Sequence, residues 1–341
     1  MRDDRCRPVA IWLFAVALLV LAMVVVGGAT RLTGSGLSIT QWKPVSGVLP
    51  PLSGRAWAEM FARYRATPQY RLINPGMSLG DFQFIFWWEW AHRLLGRLAG
   101  AAFAIPFVVF LATRRLPRRL IWPCAALLGL GALQGLVGWW MVQSGLEARV
   151  SVAPERLAAH LGLALILFSA LIWTGLEAWA GRAPPGGRRR DAWTIAGALL
   201  AAGVFLQCLL GALVAGNKAG LVDNDWPLMG GALVPADYWQ GSPWATFAHG
   251  AAAVQFNHRL LAYGLLLLSL GLAVAAARSR RTPWGIKGLC LAAGAALLAQ
   301  AMFGIAALWS GVPLPLAILH QANAAIVLAL AVALAWRARR V

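Results

Sequence analysis

The chain has 341 residues, of which 60% are hydrophobic and only 12% are charged, with a formal net charge of +18. Soluble domains carry about a quarter charged residues, and the apolar residues here form long uninterrupted runs that a soluble core does not need. This composition excludes a soluble domain and predicts a polytopic membrane protein.

The positive charge lies in short basic clusters between the apolar runs. Such clusters act as topology signals in membrane proteins, whereas nucleic-acid binding calls for a basic stripe with interleaved aromatic side chains on a soluble domain. We therefore expect membrane lipid and no nucleic acid as a partner. No two cysteines share an exterior loop, so no structural disulfide is expected. The cysteines are Cys6, Cys124, Cys208 and Cys290.

Eight segments are each near the roughly 20 residues that cross the hydrocarbon region. Because backbone polar groups must be satisfied within lipid, these segments are predicted to be helices. The first has a long apolar core with no small-x-small cleavage site after it, which indicates an uncleaved helix rather than a signal peptide. The predicted spans are residues 10–29, 87–112, 121–142, 157–179, 193–215, 250–276, 286–308 and 315–336.

The distribution of lysine and arginine predicts the orientation. With the N-terminus inside, 18 basic residues fall in five short interior segments and nine in exterior segments, six of these in the long loop 30–86. Both termini are therefore expected in the cytoplasm. There is no long Arg- and Ser-rich, acid-poor presequence of the mitochondrial kind. A bacterial cytoplasmic (inner) membrane fits best.

The chain divides into two similar halves. Features that follow the first span recur after the fifth, at a nearly constant offset along the chain. Four helices per half give both halves the same orientation, so we expect two tandem four-helix bundles related by a pseudo-two-fold axis along the membrane normal. The recurring features are Gly36-Leu37, Trp42 and Pro50 in the first half and Gly220-Leu221, Trp226 and Pro235 in the second.

The predicted boundary is the stretch Arg182–Arg190, which contains the linker Pro184-Pro185-Gly186-Gly187. Proline and glycine clusters of this kind punctuate chains between structured units. We therefore assign residues 1–182 to an N-terminal half and residues 183–341 to a C-terminal half.

Each half carries two histidines on spans that run from outside to inside. His92 lies at the head of the second span, and His258 lies at the head of the sixth. Their partners are His160 on the fourth span and His320 on the eighth. Because a helix rises about 1.5 Å per residue, the two histidines of each half are expected at a similar depth near the exterior surface.

Two opposed imidazoles per half suit the axial positions of a six-coordinate haem iron. Ionisable groups at membrane depth are costly and tend to mark function. A zinc ion would need further Cys, His or carboxylate ligands, and the second half offers none at that depth. Packing histidines, a proton relay and another metal are the alternatives. The sequence favours two bis-histidine haem sites.

Glu89 breaks the symmetry between the halves. It lies three residues before His92 and hence on the same helix face, whereas the second-half equivalent is the neutral Gln255. A carboxylate near a helix N-terminus also complements the helix dipole. The difference is what a duplicated protein would show if one site performs chemistry and the other carries electrons. Glu89 is therefore the candidate catalytic residue.

Three arginines accompany the histidines. Arg93 and Arg97 belong to the first site, and Arg259 belongs to the second. An arginine within a span needs an anion, and haem propionates are candidates. Snorkelling to the interface or pairing with Glu89 is the equal alternative. A fifth histidine, His249, has no first-half counterpart and is interpreted as an interfacial surface residue.

Two long motifs in this chain resemble the signatures of haem A synthases. GGATRLTGSGLS at residues 27–38, followed by QWKP at 41–44, resembles their first-loop signature, and FIFWWEWAHRLLGR at 84–97 resembles their second-helix signature. VQFNHR at 254–259 and LHQ at 319–321 match second-half positions. The resemblance covers nearly the whole chain. The first exterior loop has no cysteine pair, which places the chain with the branch that lacks it.

The resemblance implies that a ring methyl of haem O is oxidised to a formyl group by successive hydroxylations, giving haem A for haem-copper oxidases. It implies that His92 and His160 flank the substrate haem O, and that His258 and His320 ligate a haem b that passes electrons. Glu89 matches the family's catalytic acid, although its role as proton acceptor or electrostatic stabiliser stays open.

The residues alone leave two rival functions. One is a di-haem b electron carrier, in which Glu89 would have no function. The other is a haem transporter or chaperone. For partners, the poor solubility of haem O favours hand-over from haem O synthase, and the product would go to haem-copper oxidase assembly. A homo-oligomer also stays open.

Overall fold

A computed structural model describes residues 6–44, 46–147, 149–181 and 191–340. Within these ranges eight helices are long and apolar enough to cross a membrane, which confirms the predicted all-α, multi-pass membrane fold. The α-helices are α1 (Arg7–Leu32), α2 (Gly54–Arg65), α3 (Pro68–Leu72), α4 (Leu79–Ala112), α5 (Arg118–Glu147), α6 (Pro154–Ala180), α7 (Ala192–Gly216), α8 (Ala251–Arg278), α9 (Trp284–Trp309) and α10 (Leu314–Ala338).

The predicted boundary between the halves, residues 182–190, falls entirely outside the described residues. Its linker, residues 184–187, belongs to that part, as do the flanking arginines. The same holds for the first two arginines of the N-terminal cluster. The residues concerned are Arg2, Arg5, Arg182, Arg188, Arg189 and Arg190.

The start of α4 differs most from the predicted spans. Apolar character placed it at residue 87, whereas the helix begins at Leu79. Ser78 and Asp81 form a reciprocal capping box that satisfies free backbone N–H groups at this end. His92 therefore lies roughly three and a half turns into its helix rather than a little over one. Hydropathy missed these turns because they pack against the exterior segment.

The segment between α1 and α4, predicted to be exterior, has a small aromatic core of its own. Tyr64 on α2 is fully buried against Phe82 on α4, with ring centroids 5.3 Å apart. Its hydroxyl donates to Gln69 (3.1 Å), and the Gln69 amide donates to the Gly34 carbonyl (2.9 Å). Burial raises the pKa of Tyr64. These contacts hold the segment after α1 against the start of α4.

The membrane helices pack in two rings of four. In the first, α1 contacts α4 and α6, and α5 contacts the same two helices. In the second, α7 contacts α8 and α10, and α9 contacts the same two. The rings meet through α1–α10, α6–α7 and α6–α10. A two-fold axis would map the α1–α10 contact onto the α6–α7 contact, and the α6–α10 contact onto itself. The axis itself, and the division at residue 182, stay predictions.

Hydrogen bonds join the rings near the C-terminal ends of α1 and α7. The Gln321 amide on α10 donates to the Val24 carbonyl of α1 (2.7 Å), and the Arg31 guanidinium donates to the Ala215 carbonyl at the end of α7 (2.7 Å). A Cβ at Gly28 would collide with the Gln321 side chain. Gly28 of the first motif therefore permits close approach of α10.

Candidate functional site

His258 on α8 and His320 on α10 face each other. Their ring centroids are 6.4 Å apart and their planes are inclined by 67°. Metal–imidazole bonds are about 2 Å long, so an ion midway between two imidazoles places the ring centroids roughly 6 Å apart. The observed separation therefore fits a single iron with two axial histidines.

His92 on α4 and His160 on α6 occupy the corresponding places in the first ring, and both are half-buried. Each of the four imidazoles packs its Cε1 edge on a glycine of a neighbouring helix. A Cβ on these glycines would lie between 2.8 and 3.3 Å from Cε1, so a side chain there would displace the ring. The pairs are Gly27–His92, Gly138–His160, Gly211–His258 and Gly304–His320.

A glutamine one turn before the glycine holds three of the four histidines. The Gln207 amide donates to the His258 carbonyl (2.9 Å) and lies 3.0 Å from Nδ1 of the ring. Gln134 makes the same contacts with His160, at 3.0 and 3.2 Å. Gln300 repeats them with His320, at 2.9 and 3.1 Å. We call these three side chains the glutamine clamps. Each amide also lies 3.2–3.4 Å from the second ring nitrogen, so it restricts the orientation of the ring.

The His320 ring has a further contact on its Nδ1 side. Its Nδ1 lies 3.2 Å from the Gln300 backbone carbonyl. The tautomer that donates Nδ1–H to this carbonyl leaves Nε2 available to a metal, as is usual for ligating histidines.

His92 has no glutamine clamp. The position one turn before Gly27 is Met23, whose Cε lies 3.4 Å from where a Cβ of Gly96 would be. The Nδ1 of His92 is buried and has no hydrogen-bond partner among the described residues. The environment of this histidine therefore differs from that of the other three.

Glu89 is 3% exposed, and its two carboxylate oxygens accept hydrogen bonds from three residues. Its Oε1 accepts from Arg93 at Nη2 (2.7 Å) and Nε (3.1 Å). Its Oε2 accepts from the Ser38 hydroxyl and the Ile39 backbone N–H, both at 2.8 Å. All of these groups are donors, so the site suits an ionised carboxylate.

Gln255 occupies the matching place in the second ring and is also 3% exposed. Here the polarity is reversed, because the Gln255 amide donates to the Asp223 backbone carbonyl (3.0 Å). Asp223 stands three positions before Trp226, just as Ile39 stands three positions before Trp42 in the first repeat. The loops thus present a donor to Glu89 and an acceptor to Gln255.

The three candidate arginines bind backbone carbonyls of the loops that follow α1 and α7. Arg93 donates to Ile39 (2.8 Å) and Gln41 (2.9 Å) in addition to Glu89. Of the two alternatives for Arg93, the structure contains the pairing with Glu89, while a propionate contact stays a prediction. Arg97 donates to the Lys43 and Pro44 carbonyls (2.9 and 2.8 Å), and Arg259 donates to Asp223, Asp225 and Leu228 (2.7–3.0 Å).

The pKa values of two carboxyl groups in the loop between α7 and α8 are shifted in opposite directions. Burial raises the pKa of Asp223, and the nearby carboxylates of Asp225 and Asp237 act in the same direction. Backbone N–H groups of Gly231 and Gly230 donate to Asp225 and lower the pKa of that carboxyl. Asp225 therefore serves as a loop anchor near Arg259.

Other potential ligands do not join the histidine pairs. Throughout the described ranges, no three His, Cys, Asp or Glu side chains lie close enough together to hold a metal ion. His249 is half-buried just before α8 and packs edge-on against Trp244, with ring centroids 5.8 Å apart. The donor set thus fits a group that brings its own equatorial ligands, as haem does.

Sequence reasoning missed the partners of the site residues. Ser38 and Ile39 lie in or beside the first motif, but nothing in their residue types links them to Glu89. The glutamine clamps did leave a signal, since Gln-x-x-x-Gly occurs at Gln134, Gln207 and Gln300, each time on a helix next to a site histidine. That pattern would have identified them.

Fold and site together define a multi-pass helical membrane protein with two histidine pairs at matching places in two helix rings. A family model described as "Cytochrome oxidase assembly protein" matches residues 10–332. The chain therefore belongs to that family.

Curated relatives agree over the whole length. The chain is 61% identical over 340 residues to a protein of Caulobacter sp. (strain K31) named "Heme A synthase", covering 100% of this chain and 98% of the relative. It is 59% identical to the protein of that name from Caulobacter vibrioides, with the same coverage. A third, from Parvibaculum lavamentivorans, is 48% identical, with 99% and 95% covered. The resemblance inferred from the motifs is confirmed.

Proposed function

We propose that this protein is a haem A synthase, an oxidoreductase that converts a ring methyl of haem O to the formyl group of haem A. Full-length relatives of this name support the assignment. The structural observation that carries it is a buried carboxylate beside only one of two matched histidine pairs. A di-haem electron carrier gives this carboxylate no function.

The two histidine pairs have different functions. His92 and His160 hold the substrate haem O through its iron, and His258 and His320 hold a resident haem b. When bound, haem b supplies one-electron redox chemistry. The separation of the second pair suits this ligation, and the clamps of Gln207 and Gln300 keep both rings in place.

Glu89 acts as a fixed negative charge next to the substrate site. Arg93, Ser38 and Ile39 occupy both of its oxygens, so it can accept a proton only after one of these donors leaves. A preorganised charge of this kind stabilises cationic character that develops at the ring methyl. This favours the electrostatic role over the role of general base.

The protein lies in the bacterial inner membrane with both termini in the cytoplasm. This orientation follows from the excess of basic residues in the interior segments. Membership of the cytochrome oxidase assembly family supports delivery of the product to a haem-copper oxidase during its assembly. Haem O is poorly soluble, so direct hand-over from haem O synthase is the matching route for the substrate.

The test is to purify the protein from a host that makes haem O, extract its haems and identify them by chromatography and mass. A reduced-minus-oxidised spectrum reports the ligation state. We expect haem b together with haem O, haem A or the hydroxylated intermediate. Haem b alone would favour the di-haem electron carrier. Exchange of unmodified haem without any oxidised product would favour the transporter. Absence of haem would contradict all three functions.

A further inference from the structure

Three of the four histidines are contacted by a glutamine side chain, and His92 is not. His160, His258 and His320 each have a glutamine clamp that contacts both the backbone and the ring. His92 has the matching glycine, Gly27, but Met23 stands one turn before it. A methionine offers no N–H donor and only a weak acceptor.

The surroundings of Met23 accommodate a methionine at the position where the other three sites have a glutamine. Position i+4 from the histidine is Gly96 on α4, whereas it is Ala164, Ala262 and Ala324 next to the other three. Met23 lies against Gly96, with its Cε 3.4 Å from where a Cβ would be. The smaller residue thus leaves room for the methionine, and the Nδ1 of His92 is left buried without a partner among the described residues.

We propose that His92 is the exchangeable axial ligand of the substrate site, and that Met23, in place of a glutamine clamp, makes it exchangeable. Contacts from outside the coordination sphere hold a histidine in the orientation that ligation requires. An imidazole without them rotates more freely and dissociates more readily from iron. The inference rests on the proposed function, in which one haem must enter and leave while the other stays.

The arrangement gives the two sites opposite properties. At the second site both histidines are clamped, which suits a permanently bound cofactor. At the first site only His160 is clamped, by Gln134. Haem O would therefore remain bound through His160 while the bond from iron to His92 breaks and re-forms. Gln134, Gln207 and Gln300 act here as positioning residues, through the histidines that they contact.

The test is to measure haem release from the purified, haem-loaded protein to an excess of an apo-globin, with haem O and haem b distinguished by extraction at each time point. Met23→Gln supplies the missing clamp and should slow the release of haem O by roughly tenfold or more, with haem b release unchanged. Met302→Gln makes the same chemical change at an exposed position of α9 and serves as the control.

The reciprocal variant keeps the proposal testable if Met23→Gln fails to load haem. Gln207→Met removes one clamp from the second site and should accelerate haem b release by roughly tenfold. It should also raise the five-coordinate, high-spin fraction of haem b in the absorption spectrum. Unchanged release in both variants would overturn the proposal. Wild-type protein that contains haem b alone would instead overturn the proposed function.

Discussion

The two helix rings share a scaffold and differ in the residues around one histidine. Both place an imidazole pair between equivalent helices, and both pack each ring on a glycine. The first ring has Glu89 and Met23 where the second has Gln255 and Gln207. The comparison teaches that the duplicated architecture sets where a haem iron can be held. A few neighbouring side chains set what happens to it.

The loops that follow α1 and α7 differ between the rings in the same way. At matching positions the first loop turns the Ile39 N–H towards Glu89, and the second turns the Asp223 carbonyl towards Gln255. Arg93 and Arg259 bind these loops in similar ways. The loop and the helix therefore match in each ring: Glu89 meets a donor, and the amide of Gln255 meets an acceptor.

Replacing Glu89 by Gln is the change that should remove most of the difference between the sites. We expect haem A formation to fall by roughly a hundredfold or more, the range seen when a preorganised electrostatic group is lost. Haem binding should persist, because the change keeps the volume of the side chain and leaves His92 and His160 in place. The measurement is product formed per bound haem O.

The matched control is Glu59→Gln, which neutralises an exposed carboxylate paired with Arg55 in the exterior segment. It should leave haem A formation near the wild-type level. A Glu89→Gln protein that makes haem A at the normal rate would show that the carboxylate has no part in the chemistry.

Replacing Ser38 by Ala should have a smaller effect of the same kind. The change removes the hydroxyl that donates to Oε2 of Glu89. A hydrogen bond to a charged group contributes about 1.5–3 kcal/mol, so we expect haem A formation to fall by roughly tenfold or somewhat more. Ser35→Ala removes a buried hydroxyl from the same loop that contacts Thr33 instead. Equal losses in the two variants would mean that the loop fold, rather than the Glu89 charge, is responsible.

The sequence predicted the features that depend on long apolar runs and on repetition. The eight membrane helices were among these. The pairing of His258 with His320 was predicted too, because spacing along helices of fixed rise determines depth. The asymmetry of Glu89 and Gln255 was visible from the repeat alone.

Other features depend on contacts between distant segments and could not be predicted. The start of α4 at Leu79 depends on the capping of Ser78 and on burial of Phe82 under α2 and α3. The donors around Glu89 come partly from a loop whose path only the tertiary fold defines. The pairing of Arg93 with Glu89, rather than with an external anion, is likewise a result of that path.

The division of labour between the rings is tested most directly by the haem content of two single variants. We would purify His160→Ala and His320→Ala from a host that makes haem O, then extract and identify the haems in each. The account predicts that His160→Ala keeps haem b and loses haem O and haem A. His320→Ala should lose haem b and keep haem O. Loss of the same haem from both variants would contradict the assignment of substrate and cofactor to separate histidine pairs.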